Sequence, residues 1–216
     1  MNKKSFLTAS TLALAISTAT TAVYSAELEE IIVTAQKRAE SLQDVPISMS
    51  ALSGSTIKDN GIHSFQDLSG YVPNLEIAEN AVNTIITMRG IGIGSNQSFE
   101  QSVGIYVDGV HFGKSRQVRS GLFDVEQVEV LRGPQGILFG KNTLAGAINV
   151  TTASANVGDE FSGGIDVSQE SYNGQIVDAH IAGSVTDNLA LRFAIRDRTR
   201  DGLSLIHISE PTRPFH

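Results

Sequence analysis

Apolar and polar residues alternate along the last part of the chain, as they do in strands with one apolar face. Residues 189–196 place an apolar side chain at every second position, with Arg192 and Arg196 between them. Residues 179–185 alternate in the same way, and a further strand is expected around residue 165. The pattern is typical of a membrane barrel, but a soluble sandwich alternates likewise, so it leaves both architectures open.

Residues 48–150 lack this long alternation and predict a small mixed α/β domain. Ser55–Asn60, followed by Gly61, predicts a short helix, and Ser64 with Asp67 forms a capping box that opens a second helix. Asp108-Gly109 predicts a tight hairpin turn, because both central positions of such a turn require positive φ. β-branched and other apolar runs predict strands at Thr84–Arg89, Val103–Val107, Val110–Phe112, Val128–Arg132 and Ala147–Thr151.

The N-terminus has the features of a secretory signal peptide. Lys3 and Lys4 precede a largely apolar run from Phe6 to Ala19, which is too short to span a bilayer comfortably. We therefore expect residues 1–26 to contain a signal peptide that is removed on export by cleavage at a bond between Ala22 and Glu27.

The segment that follows, residues 27–45, contains the apolar run Ile31, Ile32 and Val33 without helical periodicity. One interpretation is a strand that pairs with the exposed sheet edge of another protein. The other is an ordinary first strand of the domain that follows. Residues 203–216 break the alternation of the preceding strands and resemble translated sequencing-adapter read-through, so we treat them as a foreign tail.

Composition narrows the classes of function. The 216 residues carry a formal net charge of −7 without a basic stripe, which disfavours a nucleic-acid partner. Cysteine is absent, so thiolate chemistry and Cys-ligated metals are excluded. The five histidines are dispersed, no catalytic dyad or triad is evident, and the glycine-rich stretches lack a phosphate-loop ending. We expect no enzyme activity, no cofactor and no bound metal.

Three segments resemble the plug domain of TonB-dependent outer-membrane receptors. EEIIVTAQKR (Glu29–Arg38) with SLQDVPIS (Ser41–Ser48) looks like the TonB box and the start of the plug. ITMRGIG and SVGIYVDGV resemble central plug strands, and VEVLRGPQGILFGKNTLAGAINV (Val128–Val150) is similar to the most recognisable plug segment. The resemblance covers about residues 29–152.

The resemblance implies an α+β plug domain, a small mixed sheet with short helices, followed by the first antiparallel strands of a transmembrane β-barrel. The expected organisation is a signal peptide (1–26), TonB box and linker (27–45), plug (46–152), first barrel strands (153–202) and a foreign tail (203–216). In such receptors the plug fills a barrel of roughly 22 strands. We therefore expect the chain to be an N-terminal fragment whose few strands cannot transport by themselves.

The resemblance also implies residue roles. Two arginines at the family's positions, Arg89 and Arg132, are expected to pair with barrel carboxylates and lock the plug. The TonB-binding segment is expected to be Glu30, Ile31, Ile32, Val33, Thr34 and Ala35. The ligand-facing loops are expected to present Asn96, Gln97, Phe99, His111 and Arg116.

The implied function is TonB-dependent active transport across the outer membrane of a ligand such as a ferric siderophore, cobalamin or an oligosaccharide. The implied partners are the periplasmic C-terminal domain of TonB, the membrane and that small ligand. Two alternatives stay open, a soluble periplasmic binding or adaptor module and a signalling receptor.

Overall fold

The computed structural model describes residues 30–34, 37–80, 83–94 and 100–202. The expected signal peptide, Ala35 of the box segment, the loop residues Asn96, Gln97 and Phe99, and the tail 203–216 lie outside the described residues. Contacts divide the chain at Glu30, and all elements below belong to the unit that begins at Ile31.

Strands dominate the described part of the chain, with two short α-helices and two 3₁₀ turns. The strands are β1 (Ile32–Val33), β2 (Glu40–Ser41), β3 (Met49–Ser53), β4 (Leu75–Glu79), β5 (Thr84–Met88), β6 (Val103–Val107), β7 (Val110–His111), β8 (Val125–Arg132), β9 (Gly146–Thr152), β10 (Ser162–Glu170), β11 (Gly174–Thr186) and β12 (Leu189–Thr199). The helices are α1 (Gly54–Asp59) and α2 (Gly136–Phe139), and the 3₁₀ turns are Asp67–Gly70 and Ser115–Ser120.

A five-stranded mixed sheet forms the centre of the N-terminal domain, with strand order β3-β8-β9-β6-β7. β6 and β9 are parallel, and the other neighbours are antiparallel. Because side chains alternate between faces along a strand, register decides which residues share a face. Glu129, Asn149 and Tyr106 are register partners across β8, β9 and β6, and their side chains therefore share one face.

The opposite face, which we call the core face, carries the main hydrophobic core. Val128, Val130, Ile148 and Ile105 of the sheet pack there against α1, the first 3₁₀ turn and the β4–β5 hairpin. The face with Glu129 and Asn149, which we call the polar-row face, holds a smaller apolar cluster. That cluster consists of Tyr106, Leu131 and Ala147, with Ile47, Met49 and Phe139 packed against it.

The sequence predictions for the turns and helices are largely confirmed. Asp108 and Gly109 have φ values of 49° and 78°, as the predicted hairpin turn requires. α1 lies where a helix is expected, and Ser53 caps it by accepting a hydrogen bond from the Thr56 amide. The second predicted helix is wrong in extent, because only a 3₁₀ turn forms at Asp67–Gly70.

The predicted capping contacts of this turn are present, since the Asp67 carboxylate accepts from the amide and hydroxyl of Ser64. Two residues explain why no longer helix follows. Gly70 is a poor helix former, and Pro73 disfavours helical backbone at the residue before it.

The last three strands form a separate antiparallel sheet, β10-β11-β12. Its outward face is apolar and exposed: Phe193 is 65% exposed and Ile165 is 74% exposed. Asp178, His180 and Arg192 belong to the opposite face, which lines a cavity against the N-terminal domain. The predicted one-sided alternation is therefore confirmed, as is the α+β domain that precedes it. Within the described residues, no helix is long and apolar enough to cross a membrane.

Candidate functional site

The described part of the box segment is docked on the N-terminal domain as a short strand. Ile32 and Val33 form β1 and pair antiparallel with Ser41 and Glu40 of β2. The Leu42 amide adds a hydrogen bond to the Ile31 carbonyl at 2.9 Å. Val33 is only 1% exposed, so this apolar side chain is fully removed from water.

Side chains of β8 hold the segment at positions that β2 does not use. The Thr34 amide donates to Oε1 of Glu129 at 2.5 Å, and Gln127 Nε2 donates to the Ile32 carbonyl at 3.0 Å. Asn149 Nδ2 donates to the other carboxylate oxygen of Glu129 at 2.9 Å. A buried carboxylate requires such donors, and one of the donors here is the main chain of the docked segment.

Tyr106 lies next to this polar pair in the register row and is also buried. Its hydroxyl donates to the Phe139 carbonyl, and its ring lies 5.1 Å from the His111 ring, centroid to centroid. Burial raises the pKa of the Tyr106 hydroxyl. A cavity of about 440 Å³ adjoins the docked segment here, between Thr34, Lys37 and the Tyr106 ring.

The two arginines expected to lock the plug to the barrel both belong to the N-terminal domain, where Arg132 is half-buried and Arg89 is exposed. Arg132 donates from Nη1 to the Ser50 hydroxyl and from Nη2 to the Met49 carbonyl, both at 3.0 Å, and from Nε to the Ser48 hydroxyl at 3.0 Å. It therefore ties β8 to the first strand of the sheet. Arg89 has positive φ, 52°, and its amide donates to the Asn74 carbonyl. Their pairing with barrel carboxylates stays a prediction.

A salt bridge joins the N-terminal domain to the three-stranded sheet. Its charges are the reverse of those expected for the lock, because the carboxylate belongs to the N-terminal domain and the guanidinium to the sheet. Arg192 of β12 holds Asp124 with both its Nε and its Nη2, at 2.8 and 2.5 Å, and both side chains are largely buried. Arg196 pairs with Asp178, donates to the Leu122 carbonyl at 2.7 Å, and lies over the Phe123 ring. Two arginines of β12, Arg192 and Arg196, therefore bind the loop 121–124.

The sequence did not predict this contact between the loop 121–124 and β12. The alternation did place Arg192 and Arg196 on the polar face of their strand, but nothing nearby in sequence indicated their partners. Beside the contact, a cavity of about 530 Å³ lies between α1, the 121–125 loop and the three-stranded sheet.

The loop residues expected to face a ligand are described only in part. His111 packs against Tyr106, next to the hairpin turn at Asp108-Gly109, and Arg116 is exposed in the second 3₁₀ turn. Arg119 in the same turn bonds the Asn80 carbonyl and the Thr84 hydroxyl, which ties this turn to the β4–β5 hairpin. Ligand contact by these residues stays a prediction.

A further salt bridge joins Glu100 to the loop after α2. Lys141 pairs with Glu100 at 3.1 Å. The Asn142 side chain hydrogen bond, together with Lys141, lowers the pKa of the Glu100 carboxyl. No group of three or more His, Asp or Glu side chains suited to a metal occurs among the residues that the structure describes.

The plug-like α+β domain carries the docked segment and is salt-bridged to strands whose outer face is apolar. These features define the class of outer-membrane receptor domains. Residues 41–147 match the family model "TonB-dependent Receptor Plug Domain". The chain belongs to the TonB-dependent outer-membrane receptors.

Relatives and solved structures agree with this assignment. The pesticin receptor of Yersinia pestis is 32% identical over 167 residues, which are 72% of this chain and 24% of that protein. The iron-regulated outer membrane virulence protein of Vibrio cholerae serotype O1 is 27% identical over 198 residues, 83% of this chain and 29% of that protein.

Among solved structures, the ferric yersiniabactin uptake receptor FyuA of Yersinia pestis superposes with a TM-score of 0.63 at 30% identity. That match covers 69% of this chain and 24% of FyuA. The chain thus spans about a quarter of the length of the relatives that it matches. The location is the outer membrane, and the chain is a receptor segment, not an enzyme.

Proposed function

We propose that this chain supplies the plug and the TonB-binding segment of an outer-membrane receptor that takes up its ligand with energy from TonB. One observation carries the proposal: residues 31–34 form a short extended strand that belongs to a two-stranded pair with β2 and not to the five-stranded sheet, a few residues ahead of a family plug sequence. A short extended segment of this kind suits capture by strand addition, in which main-chain hydrogen bonds supply the affinity.

For the ligand, we propose a ferric siderophore. The support is chemical and comparative: His111, Lys114, Arg116 and Arg119 make the stretch 111–119 cationic, which favours an anionic chelate. The FyuA receptor is by its name a ferric yersiniabactin uptake receptor, and the Vibrio cholerae relative is iron-regulated.

The TonB role is tested by replacing residues 30–35 with a Gly-Ser sequence of equal length. The replacement removes the strand-forming side chains, so binding of the purified TonB C-terminal domain to the full chain should fall at least tenfold. The matched control changes Lys37 and Arg38 to Ser and should bind like the parent. Unchanged binding after the replacement at 30–35 would contradict the proposed TonB role.

The transport role is tested in a complete receptor gene that encodes this segment. With radioactive iron, the parent receptor should import a ferric siderophore from a panel of hydroxamate and catecholate chelates, and the 30–35 replacement should abolish import while ligand binding persists. Uptake of cobalamin or an oligosaccharide in place of every chelate would show that the siderophore proposal is wrong.

A further inference from the structure

Glu129 is a carboxylate in a place where carboxylates are rare. It is 1% exposed in the middle of β8, and charged side chains are almost never fully buried unless they are paired. Among the described residues, no lysine or arginine pairs with it. Its hydrogen-bond donors are the Thr34 amide, the Thr34 hydroxyl at 3.5 Å and Asn149 Nδ2.

This pairing makes the docked segment part of what keeps Glu129 satisfied. Undocking residues 31–34 would remove two of the donors, but it would also admit water to the carboxylate, which then regains its hydration. The two changes oppose each other, so Glu129 stabilises the docked state by a modest net amount, of the size that one hydrogen bond contributes. An arrangement of this kind is suited to reversible release.

The main-chain groups of the docked segment are largely occupied, on the side of β2 and on the side of β8. β2 occupies the Ile31 carbonyl and pairs with Ile32 and Val33, while Glu129 takes the Thr34 amide and Gln127 the Ile32 carbonyl. An added strand needs unpaired amides and carbonyls along an edge. A partner strand can therefore bind residues 31–34 only after they leave the β8 side chains or β2.

We infer that Glu129 is the latch of the box segment: its contacts set the fraction of molecules in which residues 31–34 are available to a partner strand. The inference rests on the proposed TonB role and adds the residue that regulates it. When only a fraction of molecules is competent to bind, the apparent dissociation constant rises by the inverse of that fraction. Weakening the latch should therefore tighten TonB binding.

The latch is tested by the accessibility of position 33, since the chain contains no native cysteine. Val33→Cys introduces a single buried thiol, and its rate of labelling by a maleimide reports release of the segment. In the full chain in detergent, adding Glu129→Ala should accelerate this labelling about tenfold, because the Thr34 amide loses its charged acceptor. Adding Glu126→Gln, an exposed glutamate on the same strand, should leave the rate unchanged.

Folding is monitored separately with Ile148→Cys, a thiol in the main core that should stay unlabelled in the Glu129→Ala background. If it becomes labelled, the milder Glu129→Gln variant, which keeps the side-chain shape, takes the place of Glu129→Ala. An unchanged labelling rate at position 33 in the folded variant would overturn the latch.

Binding of the TonB C-terminal domain, measured without the cysteine changes, separates the latch from the function on which it rests. Tighter binding by the same factor as the faster labelling supports both. Faster labelling with no TonB binding in any variant supports the latch and removes the proposed TonB role.

Discussion

Buried polar side chains on the polar-row face are paired by neutral groups. Tyr106 bonds a main-chain carbonyl, and Glu129 bonds a main-chain amide and the Asn149 side chain. A hydrogen bond between neutral groups, such as that of Tyr106, contributes about 0.5–1.5 kcal/mol, and one to a charged group, such as Glu129, about 1.5–3 kcal/mol; leaving one partner buried and unpaired costs about 1–3 kcal/mol. Single side chains on this face are therefore expected to have measurable effects on the stability of the chain.

Tyr106→Phe should lower the free energy of unfolding by about 0.5–1.5 kcal/mol, because the Phe139 carbonyl loses its donor. Urea unfolding followed by circular dichroism measures the change, since the chain has no tryptophan. Tyr71→Phe is the matched control: its hydroxyl bonds the Asn60 carbonyl at the exposed surface, and its removal should cost less. Equal losses in the two variants would contradict the assignment.

The same tyrosine predicts a dependence of stability on pH. Burial raises the pKa of Tyr106 in the folded state above the reference value of 10.0, so the folded chain binds this proton more tightly than the unfolded chain. The resulting stabilisation is complete below about pH 10 and is lost as pH rises through the folded-state pKa. Tyr106→Phe should lack this part of the alkaline loss, whereas an identical alkaline decline in both proteins would refute it.

Among the strands, close packing restricts β9 at its first residue, Gly146, which lies beside Met88 of β5 and Leu131 of β8. A Cβ atom at Gly146 would lie far inside contact distance of the Met88 sulfur and the Leu131 carbonyl oxygen. Both are buried, and one of them is main chain, so the surroundings have little room to adjust.

Gly146→Ala should therefore destabilise the fold by about 1–3 kcal/mol through overpacking. The matched control is Gly136→Ala at the start of α2, where an added Cβ meets no atom within 4 Å. That change should be neutral or slightly stabilising, because alanine restricts the unfolded chain. Thermal melting of both variants in detergent measures the difference, and a neutral Gly146→Ala would show that β9 has room that the structure does not give it.

The elements that the sequence predicted are those with strong local signals. β8 and β9 are rich in β-branched residues, and β12 alternates without interruption. β3 (MSALS) and β4 (LEIAE) were not predicted, because neither carries β-branched alternation and both become strands only by pairing with β8 and β5. Helix α2 has four residues, too few for a periodic pattern.

The site was predictable only where the family resemblance pointed to it. Thr34 and Glu129 are 95 residues apart, and Asp124 and Arg192 are 68 residues apart. Spacing along the chain carries no information on pairs that only the tertiary fold brings together. Arg132 shows the same limit: its type and position were recognised, but its bonds to Ser48, Met49 and Ser50 follow from the register of β3 on β8.

The N-terminal domain is joined to the three-stranded sheet by the salt bridge between Asp124 and Arg192. The two side chains are 20% and 18% exposed, so water screens them little. A two-pronged guanidinium contact in such surroundings is stronger than an exposed pair. Asp124 has a φ of 50°, a conformation that asparagine also tolerates, so Asp124→Asn removes the charge without straining the backbone.

A double-mutant cycle with Asp124→Asn and Arg192→Gln should give a coupling energy of about 1–3 kcal/mol from urea unfolding of the full chain. The control cycle uses Lys58→Gln and Asp166→Asn, a pair whose side chains are 59% and 36% exposed. There the coupling should be about 0–1 kcal/mol. Equal coupling in the two cycles would show that the Asp124 contact does not fasten the two parts.

The strand order has a mechanical consequence. β3 is the first strand of the five-stranded sheet along the chain, and it lies at the edge of that sheet. β9 is the last of its strands before β10, and it lies at the centre. Under tension between the two ends of the chain, force applied to β3 passes through its hydrogen bonds to β8. From the start of β8 the force passes through the salt bridge of Asp124 with Arg192, so β4 to β7 carry little of it. Detaching β3 would leave β6 paired with β9 and β9 with β8, so single-molecule pulling would record a first short extension, limited to the chain ahead of α1, before the rest of the sheet opens.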